Sequence, residues 1–245
     1  MFKVNLQPAT VLHTRPYRNT SLLVDIFSPD FGRLSLVARG VRAKSRSSLQ
    51  AFQQLHVSWS GKGELKTLTG FEESKNPLRL TGNALACGFY LNELIIRLLH
   101  QNDPHEALYS CYITSLQALA EQKNPEVVLR LFEKQLLDDI GYGLVLDRDI
   151  QSGEVLQDSI TYRYLLEQGP IAAVTPEAGQ ILITGSCLKK LASNDLTDQD
   201  CLTSIKRLMR QSLAVYLDKK PLKSRELLQA FHSQKRINTV TDASK

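Results

Sequence analysis

No stretch of this sequence approaches eighteen consecutive apolar residues, which gives no expectation of a membrane-spanning helix. The first residues, Met1-Phe2-Lys3-Val4-Asn5-Leu6-Gln7-Pro8, lack the unbroken apolar core of a secretory signal, so a cytoplasmic protein is expected. Cysteine is scarce: Cys87, Cys111, Cys187 and Cys201 form no C-x-x-C pair, which argues against a Cys-ligated zinc or a disulfide framework. Buried free thiols in a reducing compartment are the expectation. Also absent are a Walker-type loop, G-x-G-x-x-G, H-E-x-x-H and G-x-S-x-G. The histidines (His13, His56, His100, His105, His232) are scattered, and the closest two straddle a helix boundary. Asp138 and Asp139 could hold Mg²⁺ in principle, but neighbours on a helix point about 100° apart, so they read as a solvated edge. The expectation is no enzyme, no metal, no cofactor and no small-molecule substrate.

The most informative absence is of acid. From Phe31 to Gly63 there is no Asp or Glu, while Arg33, Arg39, Arg42, Lys44, Arg46 and Lys62 lie in that span. Residues 1–63 carry a net charge of +7 and the rest of the chain −2, within a total of +5. Such asymmetry points to a polyanion contacted mainly by one part of the molecule. Cations neutralise phosphates without reading sequence, and aromatic faces stack on unpaired bases. Arg15, Arg18, Arg33, Arg39, Arg42, Lys44, Arg46, Lys62 and Lys66 are therefore the candidate phosphate contacts. Phe27 and Trp59 are expected to pack, whereas Phe31 and Tyr17, at turns, are candidates for exposure. The competing readings are a merely solvated loop, or an adaptor whose basic face meets an acidic protein. An RNA-binding or metal-dependent phosphodiester enzyme is a third.

Residues 9–72 read as β. Segments 9–15, 21–27, 33–37, 55–59 and 64–69 are rich in β-branched or alternating residues and are separated by turn chemistry. Leu34 to Val37 alternates as a half-buried strand should. Five short strands favour a small closed barrel, and the count fits an OB-type or an SH3-like barrel equally. From Leu78 the period becomes helical: about 82–101, a helix opened by Asp103 as N-cap with Pro104 at its first position, and another opened by Asn124-Pro125-Glu126. Residues 144–180 interrupt the helices with a hairpin signal, Ile160 to Leu165 and Ile171 to Val174 around Glu167-Gln168-Gly169-Pro170. Helices resume at Thr184 and after Thr197-Asp198, and Pro221 stops the longer one.

A second basic cluster, Lys206, Arg207 and Arg210, shares a helix face, with Lys189 and Lys190 one helix earlier and Arg130 interrupting an apolar stripe. Such residues around an apolar groove would suit a short acidic peptide with an apolar end, although an ordinary charged helix face is the simpler reading. Lys219-Lys220-Pro221-Leu222-Lys223-Ser224-Arg225 is a third cluster, a possible supplementary DNA contact.

Several stretches resemble the bacterial RecO family of recombination and repair proteins. They are His13-Thr14-Arg15-Pro16-Tyr17-Arg18-Asn19-Thr20-Ser21-Leu22, Gly32 to Arg42, Tyr90-Leu91-Asn92-Glu93-Leu94, Phe132-Glu133 with Leu137 to Gly143, and Lys219 to Leu227, in the family's order. The resemblance implies an α+β chain: a five-stranded OB-fold barrel over 1–80, then an α-helical domain over 81–245 with a small β-hairpin insertion in 144–180. It implies a recombination mediator of the RecF pathway, in the cytoplasm and associated with the nucleoid. Such a protein binds single- and double-stranded DNA, anneals complementary strands, and joins RecR to load RecA onto strands coated with single-stranded-DNA-binding protein (SSB). On this chain it implies DNA contacts from the barrel cations, and binding of the acidic SSB tail by Arg130, Lys189, Lys206, Arg207 and Arg210. The chain departs from the family at one point: many members carry two C-x-x-C zinc-binding pairs in the insertion, whereas residues 144–180 contain no cysteine. The expectation is a zinc-free insertion held by packing, with Tyr162, Tyr164 and Ile171 as candidates.

Overall fold

The computed structural model describes residues 3–40, 49–74, 78–175, 179–217 and 221–228. Five strands, β1 (Lys3–Tyr17), β2 (Ser21–Ser28), β3 (Gly32–Ala38), β4 (Gln54–Ser60) and β5 (Leu65–Glu73), close into a barrel of order β1-β2-β3-β5-β4. β3 and β5 pair in parallel and every other pair is antiparallel, so the connectivity is that of an OB fold rather than a meander. β1 is long enough to pair with both β2 and β4 because it bends. Its register shifts between Val4 and Gln7 and again between Val11 and His13, and bulges are how a strand turns a barrel corner. Val11, Val24, Ile26, Leu34, Leu36, Val57 and Trp59 fill the interior.

Half-burial is not what β3 shows. Ser35 and Val37, expected to face water, are buried, as are Asp25 and Phe27 on β2. Two helices cover this outer face, α1 (Gly82–Leu98) against β1 and α2 (Glu106–Ala120) against β2, while the connection between them lies against β3. Phe27 meets Tyr109 and Tyr112 with ring centroids 5.3 and 6.0 Å apart. Asn92 of α1 is the polar pin of the joint: its Nδ2 donates to the Leu12 carbonyl at 2.8 Å, and its Oδ1 accepts from Tyr112 Oη at 2.6 Å. A buried amide so satisfied costs little, and its loss would orphan two partners. Barrel, α1, α2 and residues 221–228 thus belong to one compact unit and residues 124–217 to a second. The change from strand to helix near residue 80 is a change of period within the first unit.

The same joint moves a helix start. Asp103 and Pro104 do not cap α2, which begins at Glu106 with His105 as N-cap and no side-chain cap bond. Residues 101–103 are held against β3 instead: Asn102 N donates to the Arg33 carbonyl at 2.9 Å, and the Asp103 carbonyl lies where a Cβ on Gly32 would be. Gly32 also has φ +64°, so this contact admits no side chain.

In the second unit, α3 (Pro125–Asp139) is capped by Asn124, whose side chain accepts from Glu126 N, with Pro125 in the first turn as expected. The insertion is more than a hairpin. β6 (Thr161–Leu165) pairs with β7 (Gly169–Ala172) and also with β8 (Leu182–Thr184), giving a three-stranded sheet β7-β6-β8. Tyr162 and Tyr164 are buried, and Ile171 is half-buried. α4 (Gly185–Ala192) and α5 (Gln199–Tyr216) follow, capped by Thr184 and Asp198. Packing α4 on α5 brings Cys187 and Cys201 to a Cα separation of 5.1 Å, where they form a disulfide. The expectation of four free thiols is corrected for this pair, because the packing of α4 on α5, which sequence spacing does not show, aligns them. Cys87, buried, and Cys111, half-buried, are not in a disulfide.

Candidate nucleic-acid interface

The barrel's basic residues divide by the register of its strands. Tyr17 pairs with Ser21 and Arg15 with Leu23, which places exposed Arg15 and Arg18 at the β1–β2 turn. Arg18 sits at φ +50°, and its guanidinium lies 5.3 Å from the Tyr17 ring centroid. Tyr17 is half-buried beneath it. Ala38 pairs with Leu22, so exposed Arg39, the next residue, emerges at that same end. Gly40, at φ +68°, then leads into 41–48. Arg42, Lys44 and Arg46 lie in that segment, outside the described residues. Lys62 is exposed but at the opposite end of the barrel, beyond Ser60, which pairs with Lys3.

Two expected contacts serve the barrel–helix joint instead of the surface. Arg33 is half-buried, and its Nε donates to the Leu99 carbonyl at 3.1 Å. Burial lowers its pKa, and the charge of Asp25 opposes the shift. Asp25 is in turn held by Ser35 Oγ at 2.5 Å. Lys66 is buried, its Nζ donates to Asn102 Oδ1, and burial lowers its pKa as well. The structure therefore does not bring Arg33 and Lys66 together with Arg15, Arg18 and Arg39. Phe31 is not freely exposed either: it packs edge-on against Trp59 at 5.0 Å.

In the second unit the basic set is similarly divided. Arg130 is buried on α3 and ion-paired with Glu133 at 2.5 Å, so it is a core pair and not a rim cation. Lys189 pairs with Asp158 at 2.8 Å and Lys206 with Glu126 at 2.5 Å. Arg207 and Arg210 are exposed on α5 and have no ion pair among the described residues. Near the same helix end, Tyr142 and Tyr216 stack with centroids 4.0 Å apart beside Glu167, a pairing that residues so distant in sequence gave no means to anticipate.

The insertion offers no thiolate for zinc, and its donor set does not fit a tetrahedral zinc site. What gathers its loop is Asp149. Its Oδ1 accepts from Gln151 N and Ser152 N at 2.8 and 3.0 Å, and its Oδ2 accepts from Ala172 N at 2.7 Å, tying the loop to β7. Burial raises its pKa, but these backbone donors outweigh that and hold it below the usual carboxylate value. Among the described residues no three His, Cys, Asp or Glu side chains gather to hold a metal.

A carboxylate also explains two of the stretches noted in the sequence. Glu93 of α1 accepts from Lys223 N at 3.0 Å, Ser224 N at 2.8 Å and Ser224 Oγ at 2.6 Å. It caps a short helical turn over 223–228 from outside that turn.

Comparison with known proteins places two family models along the chain: "Recombination protein O N terminal" over residues 1–76 and "Recombination protein O C terminal" over 79–226. The chain is 45% identical over 230 residues to a protein of Nitrosococcus oceani named DNA repair protein RecO, covering 93% of this chain and 94% of the relative. A protein of the same name from Azoarcus sp. is 43% identical over 233 residues, covering 93% and 96%. One from Coxiella burnetii is 42% identical over 229 residues, covering 92% and 98%.

Proposed function

The chain belongs to the RecO family of DNA repair and recombination proteins, and from that premise we propose that it is a mediator that binds without catalytic turnover. It binds single- and double-stranded DNA through the basic end of the barrel and anneals complementary strands. With RecR it helps RecA replace SSB on single strands, acting in the cytoplasm on the nucleoid. The observation that carries the DNA-binding reading is the convergence of Arg15, Arg18 and Arg39 at the end of the barrel from which the acid-free segment leaves β3. Phosphate contacts of this kind release counterions, so affinity should fall steeply with salt. For the SSB tail, exposed Arg207 and Arg210 on α5 are the contacts we favour, with Lys206 and Lys189 free to join only by leaving their present acidic partners.

The test is fluorescence anisotropy with a single-stranded oligonucleotide and the purified full-length protein. Reversing charge at Arg15 and Arg39 should lower affinity strongly while leaving the thermal transition in place. Unchanged DNA affinity in that variant would remove the DNA reading and favour the adaptor, whose basic face meets an acidic protein.

A further inference from the structure

At the basic end of the barrel, a groove runs between β1 and α1, with walls formed by Thr14, Pro16, Leu22, Leu49, Ala51 and Phe89. Its polar wall atom is already satisfied, since Thr14 Oγ1 donates to the Leu49 carbonyl at 2.7 Å. Phe89 is held in place by Phe52, with centroids 5.1 Å apart, yet remains only half-buried. His13 and Gln50, both exposed, also border the groove and can each donate or accept a hydrogen bond. The surrounding charge follows from register. Pro16 and Ala38 are the two partners of Leu22, so Arg15 stands one residue from one wall and Arg39 one residue beyond Leu22's other partner.

An apolar slot with a fixed ring, bordering groups able to read a polar edge, one arginine adjacent in sequence to two wall residues and a second arginine on the neighbouring strand has the complement of a nucleotide. An apolar peptide side chain would use the slot and the charge but not the polar edge. We propose that this groove holds one unpaired base of single-stranded DNA, stacked on Phe89, with the flanking phosphates on Arg15 and Arg39. The proposal rests on the DNA-binding reading above and adds to it a preference. A base within a duplex must leave its stack to enter, so the groove favours single strands.

The experiment compares two labelled oligomers of equal length by anisotropy, an oligothymidylate and an abasic strand with the same phosphates. The wild type should bind the oligothymidylate more tightly. Phe89→Leu keeps an apolar contact with Phe52 but removes the ring face. It should lower affinity for the oligothymidylate about ten-fold, the effect of one lost stacking contact, and leave the abasic strand unaffected. Ala51→Leu, which keeps Phe89 and adds bulk at the wall of the slot, should give the same pattern. Equal wild-type affinity for the two oligomers, or equal losses on both in the variants, overturns the groove while leaving DNA binding by the arginines intact. Binding to neither oligomer overturns both readings. A short acidic peptide ending in phenylalanine that binds the wild type, and loses affinity in both variants while the oligothymidylate does not, would assign the groove to a peptide.

Discussion

Asp149 performs with one carboxylate what a metal site performs with several ligands, since it draws the loop over 149–152 and strand β7 to a common point. Asp149→Asn leaves one acceptor oxygen and sets an amide N–H against a backbone donor, so it should cost about 1–3 kcal/mol at neutral pH. Faster amide exchange at Gln151, Ser152 and Ala172 is the measurement. The sign with pH follows from the depressed pKa. The carboxylate's contribution is complete above its unfolded-state pKa and is lost as pH falls through the lower folded-state value. The difference between wild type and variant should therefore shrink in acid. At the barrel, the same kind of residue-level argument separates cations of equal formal charge. Lys66→Met should leave the salt slope of DNA binding unchanged, because its ammonium is directed at Asn102. Arg15→Ala should lower the slope by about one contact's worth.

Among the elements, the short turn over 223–228 is held by Glu93, the Arg97 contact with the Pro221 carbonyl at 3.4 Å, and buried Leu222 and Ser224. Burial raises the Glu93 pKa, but bonds from Ser224 and Lys223 and the charge of Arg97 together lower it. Glu93→Ala should free the turn, seen as proteolytic cleavage near residue 220 at protease concentrations that leave the wild type intact. In the wild type the turn should loosen as pH falls through that lowered value. For α4 and α5, the staple is the disulfide between Cys187 and Cys201, fourteen residues apart. A loop of that length confers about 3 kcal/mol by restricting the unfolded chain. Cys201→Ser should lower the urea midpoint of the second unit, and reductant should have the same effect on the wild type but none on the variant.

For the whole molecule, the uneven charge sets the interaction more than the net value does. Each phosphate neutralised on a single strand contributes about 0.7 to the slope of log affinity against log salt. Removing Arg15, Arg18 and Arg39 together should therefore reduce the slope by about two. A titration from low to moderate salt on wild type and triple alanine variant measures it. Matching reversals at Arg207 and Arg210 should leave that slope in place and weaken only binding of an acidic tail peptide.

The sequence by itself determined the element types, the five strands, the three N-caps at Asn124, Thr184 and Asp198, and the location of the charge excess. These depend on neighbours along the chain: alternation, cap chemistry and composition are local quantities. The closed barrel, and the family that the motif order resembles, were legible there too; the strand order, with β3 and β5 parallel, was not, because pairing is made between residues distant in the chain. What only the tertiary structure decided was which groups remain available. Arg33 and Lys66 count by composition with the surface cations, but the connection between α1 and α2, which lies against β3, takes both for the joint. Arg130 is half of a buried pair, and two cysteines expected as thiols meet where α4 packs on α5. Phe89, which reads along α1 as one more apolar residue, came to border the groove with Thr14 and Pro16 of β1. Burial and partnership are set by residues distant in the chain, and a desolvated cation with a fixed acceptor is a structural element, whereas the same side chain in water is a binding one.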